Sequence, residues 1–114
     1  MSKMEDIAAM LERRQYPRLD YRCPVIVRHQ GKLIPGLMSN VSCGGMRIIA
    51  DEDFIDNAPV EIIFDLNHIA RDVSLRGDVV RIEDSFPKAI GVKFVDATSS
   101  GHKTIEQFLT TRIS

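Results

Sequence analysis

Several residue types that usually reveal a protein's chemistry are scarce in this chain. It has no Trp, and aromatic residues make up only 6% of its 114 positions. A groove that binds single-stranded nucleic acid stacks successive bases on aromatic side chains, so this scarcity argues against one. The two cysteines, Cys23 and Cys43, are too few for a disulfide framework and lack the paired spacing of a zinc site. His29, His68 and His102 are scattered along the chain and form no metal-ligating pattern. There is no nucleophile elbow and no glycine-rich phosphate loop between a strand and a helix, so the sequence does not read as an enzyme. No apolar run approaches the ~20 residues of a membrane helix. The start, Met1-Ser2-Lys3-Met4-Glu5-Asp6, lacks the cationic and apolar stretches of a signal peptide. The expectation is a reduced, cytoplasmic protein with no membrane insertion and no metal.

Net charge is also small, at -1, so no global basic field points to DNA or RNA. The charge is unevenly placed, however. Arg13, Arg14, Arg18, Arg22, Arg28 and Lys32 fall close together near the start, against Glu12 and Asp20. From Asp51 to Asp72 there are seven acidic residues against Arg71 alone. A small anionic ligand near the first segment fits this asymmetry better than a long polyanion. Length and composition, 44% hydrophobic and 27% charged, are those of one ordinary globular domain.

The apolar pattern is mostly that of strands. Ser2 and Glu5 have capping-box spacing, and Met4, Ile7, Met10 and Leu11 recur at helical intervals, predicting a short helix over about 3–13. Pro17 then forces Tyr16 out of helical geometry. Cys23, Val25 and Val27 alternate with Arg22 and Arg28 over Tyr21–His29, a half-buried strand. Gln30-Gly31 marks a turn, and a second strand over Lys32–Asn40 carries Pro35, which suggests an edge or a bulge. A short strand with Met46, Ile48 and Ala50 inward follows, then an acidic loop over Asp51–Asn57. Pro59 opens a strand with Val60, Ile62, Phe64 and Leu66 inward, and Asn67-His68 reads as a hairpin turn. Over Val73–Ile82 the apolar register slips from odd to even positions, so Val80 and Ile82 are expected inward, with a bulge near Gly77-Asp78. Ile90, Val92 and Phe94 form the last inner face. Thr98, Ser99 or Ser100 caps a terminal helix with Ile105, Phe108 and Leu109 on one side. Six antiparallel strands at hairpin spacing, a helix at each end and the need to hide sheet edges predict a small barrel plugged by a helix.

Two stretches stand out from this frame. Arg14 and Arg18 are spaced Arg-x-x-x-Arg, and Asn40, Ser42 and Gly45 follow as Asn-x-Ser-x-x-Gly. Alone, each is ordinary. Together and in order, between an extended arm and a run of barrel strands, they resemble the PilZ domain, a bacterial receptor for cyclic di-GMP. Gly91-Val92-Lys93-Phe94 looks like the family's Gly-x-Arg/Lys-Phe strand. The resemblance implies a mainly β fold: a six-stranded antiparallel PilZ-type β-barrel over 13–114 with a C-terminal helix; the helical extension over 1–12, expected from the apolar pattern, falls outside it. It also implies a binding site made of Arg13, Arg14, Arg18, Asn40, Ser42, Gly44 and Gly45, with Tyr16, Cys43 and Gly91 in support.

The chemistry suits that ligand. A guanidinium matches O6 and N7 of guanine with two parallel donors and also binds phosphate. Asn40 offers an acceptor to guanine N1–H and N2–H, and Ser42 a donor to phosphate or ribose. Gly44 and Gly45 allow positive φ and close backbone approach. Tyr16 either stacks on the ligand or covers the barrel. In the family, an arginine at the position of Arg13 goes with two intercalated ligands per chain. The implied role is a receptor whose N-terminal arm changes conformation on binding and signals to an effector protein. That signal would concern motility, pili, exopolysaccharide or virulence. The chain is expected to be a monomer or weak dimer. The alternative is a PilZ-like adaptor that binds protein and no nucleotide.

Overall fold

The computed structural model describes residues 18–66 and 69–113. The expected N-terminal helix, Arg13, Arg14, Tyr16 and the Asn67-His68 turn lie outside these residues. Six strands follow one another: β1 (Leu19–His29), β2 (Lys32–Val41), β3 (Gly45–Ile49), β4 (Pro59–Leu66), β5 (Ala70–Glu83) and β6 (Ala89–Phe94). One helix, α1 (Ser100–Ile113), ends the fold. All pairings are antiparallel, and the strands close in the order β1-β2-β3-β6-β5-β4. This is the six-stranded barrel with a C-terminal helix that the sequence predicts.

Alternation sets which side chains face the interior. Val25, Val27, Ile34, Met38, Ile48, Ile62, Leu75 and Val92 are all at most 3% exposed, while the intervening residues face out. The β1–β2 hairpin turns at Gln30 and Gly31, both at positive φ (53° and 76°). That is the backbone a two-residue hairpin loop requires. Pro35 pairs with Ile26 of β1, whereas the β2–β3 ladder begins only at Leu37. Proline's missing N–H therefore faces a side of β2 that has no partner strand. His29 is buried at the end of β1, where Nε2 accepts the backbone N–H of Ile55 at 3.2 Å and the ring packs on Phe54. This anchors the acidic loop to the barrel.

The helix covers one end. Asp96 accepts the N–H and hydroxyl of Thr98, and Ser99 Oγ accepts the N–H of His102 at 3.1 Å. Ser99 is therefore the N-cap among the three candidates. Ile105, Phe108 and Leu109 are buried at 0–2% exposure. Phe108 meets Tyr21 edge-to-face at 4.9 Å, and Arg112 lies over both rings.

The bulge in β5 lies later than the sequence pattern suggests. The β5–β6 register shifts between Val79 and Arg81, not at Gly77-Asp78. Val73, Leu75, Gly77 and Val79 all point inward, and Val80 is the extra residue, 51% exposed. Gly77 serves close approach instead: a Cβ there would lie 2.6 Å from the carbonyl oxygen of Lys93 and 2.5 Å from Val92. The register break is real, and only its position, read at the small Gly77, was early. Aspartate substitutions separate the two registers. Val80→Asp should stay within about 0.5 kcal/mol of the parent, and Val79→Asp should lose more than about 4 kcal/mol, measured by denaturant unfolding.

Candidate functional site

The outer surface of β3, β6 and β5 forms the floor of an open cleft of about 740 Å³. Arg18 and the Ser42–Gly45 turn border it on one side, and His102 and Glu106 of α1 on another. Across the floor, Arg47 pairs with Gly91 and Gly91 with Arg81. The glycine therefore leaves a trough between two guanidinium groups. Lys93 lies one outward position further along β6. Among the described residues, four cationic side chains line the cleft (Arg18, Arg47, Arg81 and Lys93) against the single carboxylate of Glu106.

The structure brings the two motif halves together. Arg18 Nη1 donates to Asn40 Oδ1 at 3.0 Å, joining the residue before β1 to the end of β2. Ser42 is buried, and its hydroxyl belongs to the turn. It accepts the N–H of Gly44 at 3.2 Å and donates to the carbonyl of Gly45 at 3.4 Å. Gly44 and Gly45 were expected to offer positive φ, but Gly31 is the only glycine with positive φ among the described residues. The reason for Gly45 is packing: a Cβ there would sit 2.1 Å from the carbonyl oxygen of Val92. Cys43 is half-buried, and burial together with the Glu106 carboxylate pushes its thiol pKa up. That is the opposite of an activated thiolate.

Five charged or polar lining residues were not singled out from the sequence as site residues: Arg47, Arg81, Lys93, His102 and Glu106. Arg47 and Lys93 sit at outward strand positions beside the motif, which alternation could have shown. Arg81 depends on the bulge. His102 is 6% exposed and donates from Nε2 to the carbonyl of Cys43 at 2.7 Å. A carbonyl only accepts, so that nitrogen carries the proton. Nδ1 lacks a hydrogen-bond partner among the described residues, although Glu106 Oε1 lies 3.0 Å away.

Glu83 organises the cationic floor. Both of its oxygens accept from Arg47, at 3.0 Å each, while Arg47 Nη1 bonds Ser39 at 3.0 Å. Arg81 approaches the same carboxylate at 3.5 Å. By contrast, Arg18 and Lys93 form no ion pair with any described residue.

Together these features define a small β-barrel binding module with an anion-receptive outer face. The chain belongs to the PilZ domain family, whose pattern matches residues 12–111. In fold it is similar to the Bacillus subtilis inhibitor of motility (MotI/DgrA), at 24% identity and TM-score 0.72, over 89% of this chain. It spans about half of that protein, 51%. It is also similar to the PilZ domain of YcgR from Escherichia coli, solved with c-di-GMP, at 11% identity and TM-score 0.68. That match covers 87% of this chain and 90% of that one. The PilZ domain of CeSA from a cellulose-synthesizing bacterium gives 16% identity and TM-score 0.66, covering 86% and 99%. No curated protein matches the sequence.

The Arg47 hydrogen bonds hold the Glu83 carboxyl below its usual 4.5. A depressed folded-state pKa contributes stability above the unfolded value, and that contribution is lost as pH falls through the folded one. Glu83→Gln should therefore flatten the loss of stability as pH falls below about 4.5, measured by denaturant unfolding through the acid range.

Proposed function

We propose that this chain is a cyclic di-GMP receptor that acts as an effector rather than an enzyme. The observation that carries the reading is the Arg18–Asn40 hydrogen bond at 3.0 Å, which closes the motif at the mouth of the cationic cleft. The c-di-GMP held by the similar YcgR domain supports the choice of ligand. Cyclic di-GMP carries two phosphates and two guanines; the cleft offers cations, and Asn40, bonded to Arg18 of its lining, offers an amide acceptor.

In this reading the ligand exchanges partners with the arm. A guanine edge takes the Asn40 acceptor with its N1–H and N2–H, which frees Arg18 for O6, N7 or phosphate. Arg14 supplies the second guanidinium, and Arg13 a further one for a second ligand molecule. Gly44 and Gly45 present backbone to the ligand, and Gly91 keeps the floor flat. Tyr16 and Cys43 border the bound molecule. Fastening the arm over the cleft re-poses residues 1–12, the expected helical extension, and changes the surface offered to an effector protein in the cytoplasm. The inhibitor of motility among the similar structures makes motility one candidate output.

Calorimetric titration with cyclic di-GMP tests this. Saturable binding is expected, weakened about tenfold to a hundredfold in Arg14→Ala and in Arg18→Ala, since one bidentate contact is worth roughly 1–3 kcal/mol. A stoichiometry of two ligands per chain, falling to one in Arg13→Ala, is expected. Absence of heat and of thermal shift with folded protein would refute the receptor and favour the adaptor that binds only protein.

A further inference from the structure

The peptide linking Cys43 to Gly44 is fixed at both ends. Its N–H donates to Ser42 Oγ at 3.2 Å, a bond internal to the turn. Its C=O accepts from His102 Nε2 at 2.7 Å, a bond that reaches across the sequence to the first turn of α1. A peptide group is planar and rigid, so the direction of that carbonyl also sets the direction of the Gly44 amide. The imidazole is itself held in place. It is 6% exposed and meets Phe94 edge-to-face at 5.9 Å, and the backbone N–H of its residue is tied to the Ser99 cap. Phe94 in turn donates its N–H to the carbonyl of Gly44 at 2.9 Å. Both peptides on either side of Gly44 are therefore oriented by groups outside the turn.

We infer that His102 is a positioning residue of the ligand turn. Its Nε2–H aims the Cys43–Gly44 peptide, and with it the backbone that borders the cleft, and makes that orientation depend on the seat of α1. His102 need not touch the ligand. The consequence for binding rests on the cyclic di-GMP reading above, but the geometry does not. A histidine that only filled space would make no use of its donor, and the two roles are separable.

The test compares His102→Gln, which keeps an N–H donor of similar reach, with His102→Met, which fills the space without one. Amide hydrogen exchange at Gly44 and titration with cyclic di-GMP are read beside the melting temperature. His102→Met is expected to speed exchange at Gly44 and to weaken binding, each by about tenfold. His102→Gln should stay within about threefold of the parent in both. Equal behaviour of the two variants, whether both normal or both impaired, overturns the positioning role. If the Met variant does not fold, the imidazole ¹⁵N shifts of the parent protein decide. A proton on Nε2 supports the inference, and a ring protonated at Nδ1 alone overturns it. Failure of the parent to bind cyclic di-GMP would remove the nucleotide reading and leave the exchange comparison to judge His102.

Discussion

Closure of the sheet is the constraint on which the other features depend. Each strand has a hydrogen-bonded neighbour on both sides, and the ring is completed by β1 against β4 and β3 against β6. Both pairings join segments far apart in sequence. The inside of so small a ring is filled almost entirely by apolar side chains, so the Asp, Glu, Lys and Arg side chains of the strands are confined to the outer face. The β3–β6 pairing is what places Arg47 beside Gly91, and the β5–β6 pairing adds Arg81 on the same rung. The bulge at Val80 is required for this. Val73, Leu75, Gly77 and Val79 point inward, so an unbroken alternation would turn Arg81 into the core. One extra residue returns it to the surface, within 3.5 Å of Glu83. A bulge that re-aims a side chain next to a binding site is a recurrent use of the device.

Much of this was legible in the sequence because period-2 patterning is a strong signal where one face is buried. β1, β4 and β6 showed their inner faces directly, and the apolar triplet Ile105, Phe108 and Leu109 marked the helix side that meets the barrel. The motif spacing located Arg18, Asn40 and the Ser42–Gly45 turn before any fold was known. What the sequence could not show depends on three-dimensional proximity. Gly77 reads like a bulge residue, yet its requirement comes from the carbonyl of Lys93 on another strand. Gly45 likewise answers to the carbonyl of Val92 and not to its own φ. His102 carries no local signature, because its partner, the carbonyl of Cys43, belongs to a segment brought near only by the completed barrel.

Electrostatics divides the cationic residues of the cleft into two groups. Arg47 and Arg81 share the Glu83 carboxylate, which offsets their mutual repulsion and fixes the Arg47 guanidinium through paired, charge-assisted hydrogen bonds. Their charge shapes the field of the cleft, but their donors are already partly used. Arg18 and Lys93 have no carboxylate partner among the described residues, so they keep their capacity for an incoming anion. A fixed pair and an available pair let the cleft stay open without a ligand and still favour an anionic one.

The polar contacts around the motif differ in strength in a way that suits this division. Arg18–Asn40 is an exposed hydrogen bond, charge-assisted through the guanidinium but continuously in competition with water. Ser42 and His102 are buried, and a buried group left without its partner costs about 1–3 kcal/mol. The turn is therefore expensive to deform, while the arm contact is cheap to exchange. In the proposed receptor, a ligand that supplies donors to Asn40 and acceptors to Arg18 would replace this one exposed bond with several and leave the buried framework intact. The alternative sequence of events, in which the turn itself rearranges, would break at least two buried hydrogen bonds before gaining any new contact. In that reading, movement would be directed to the arm by the difference in burial between Arg18 and Ser42, two residues whose motif positions alone would not distinguish them.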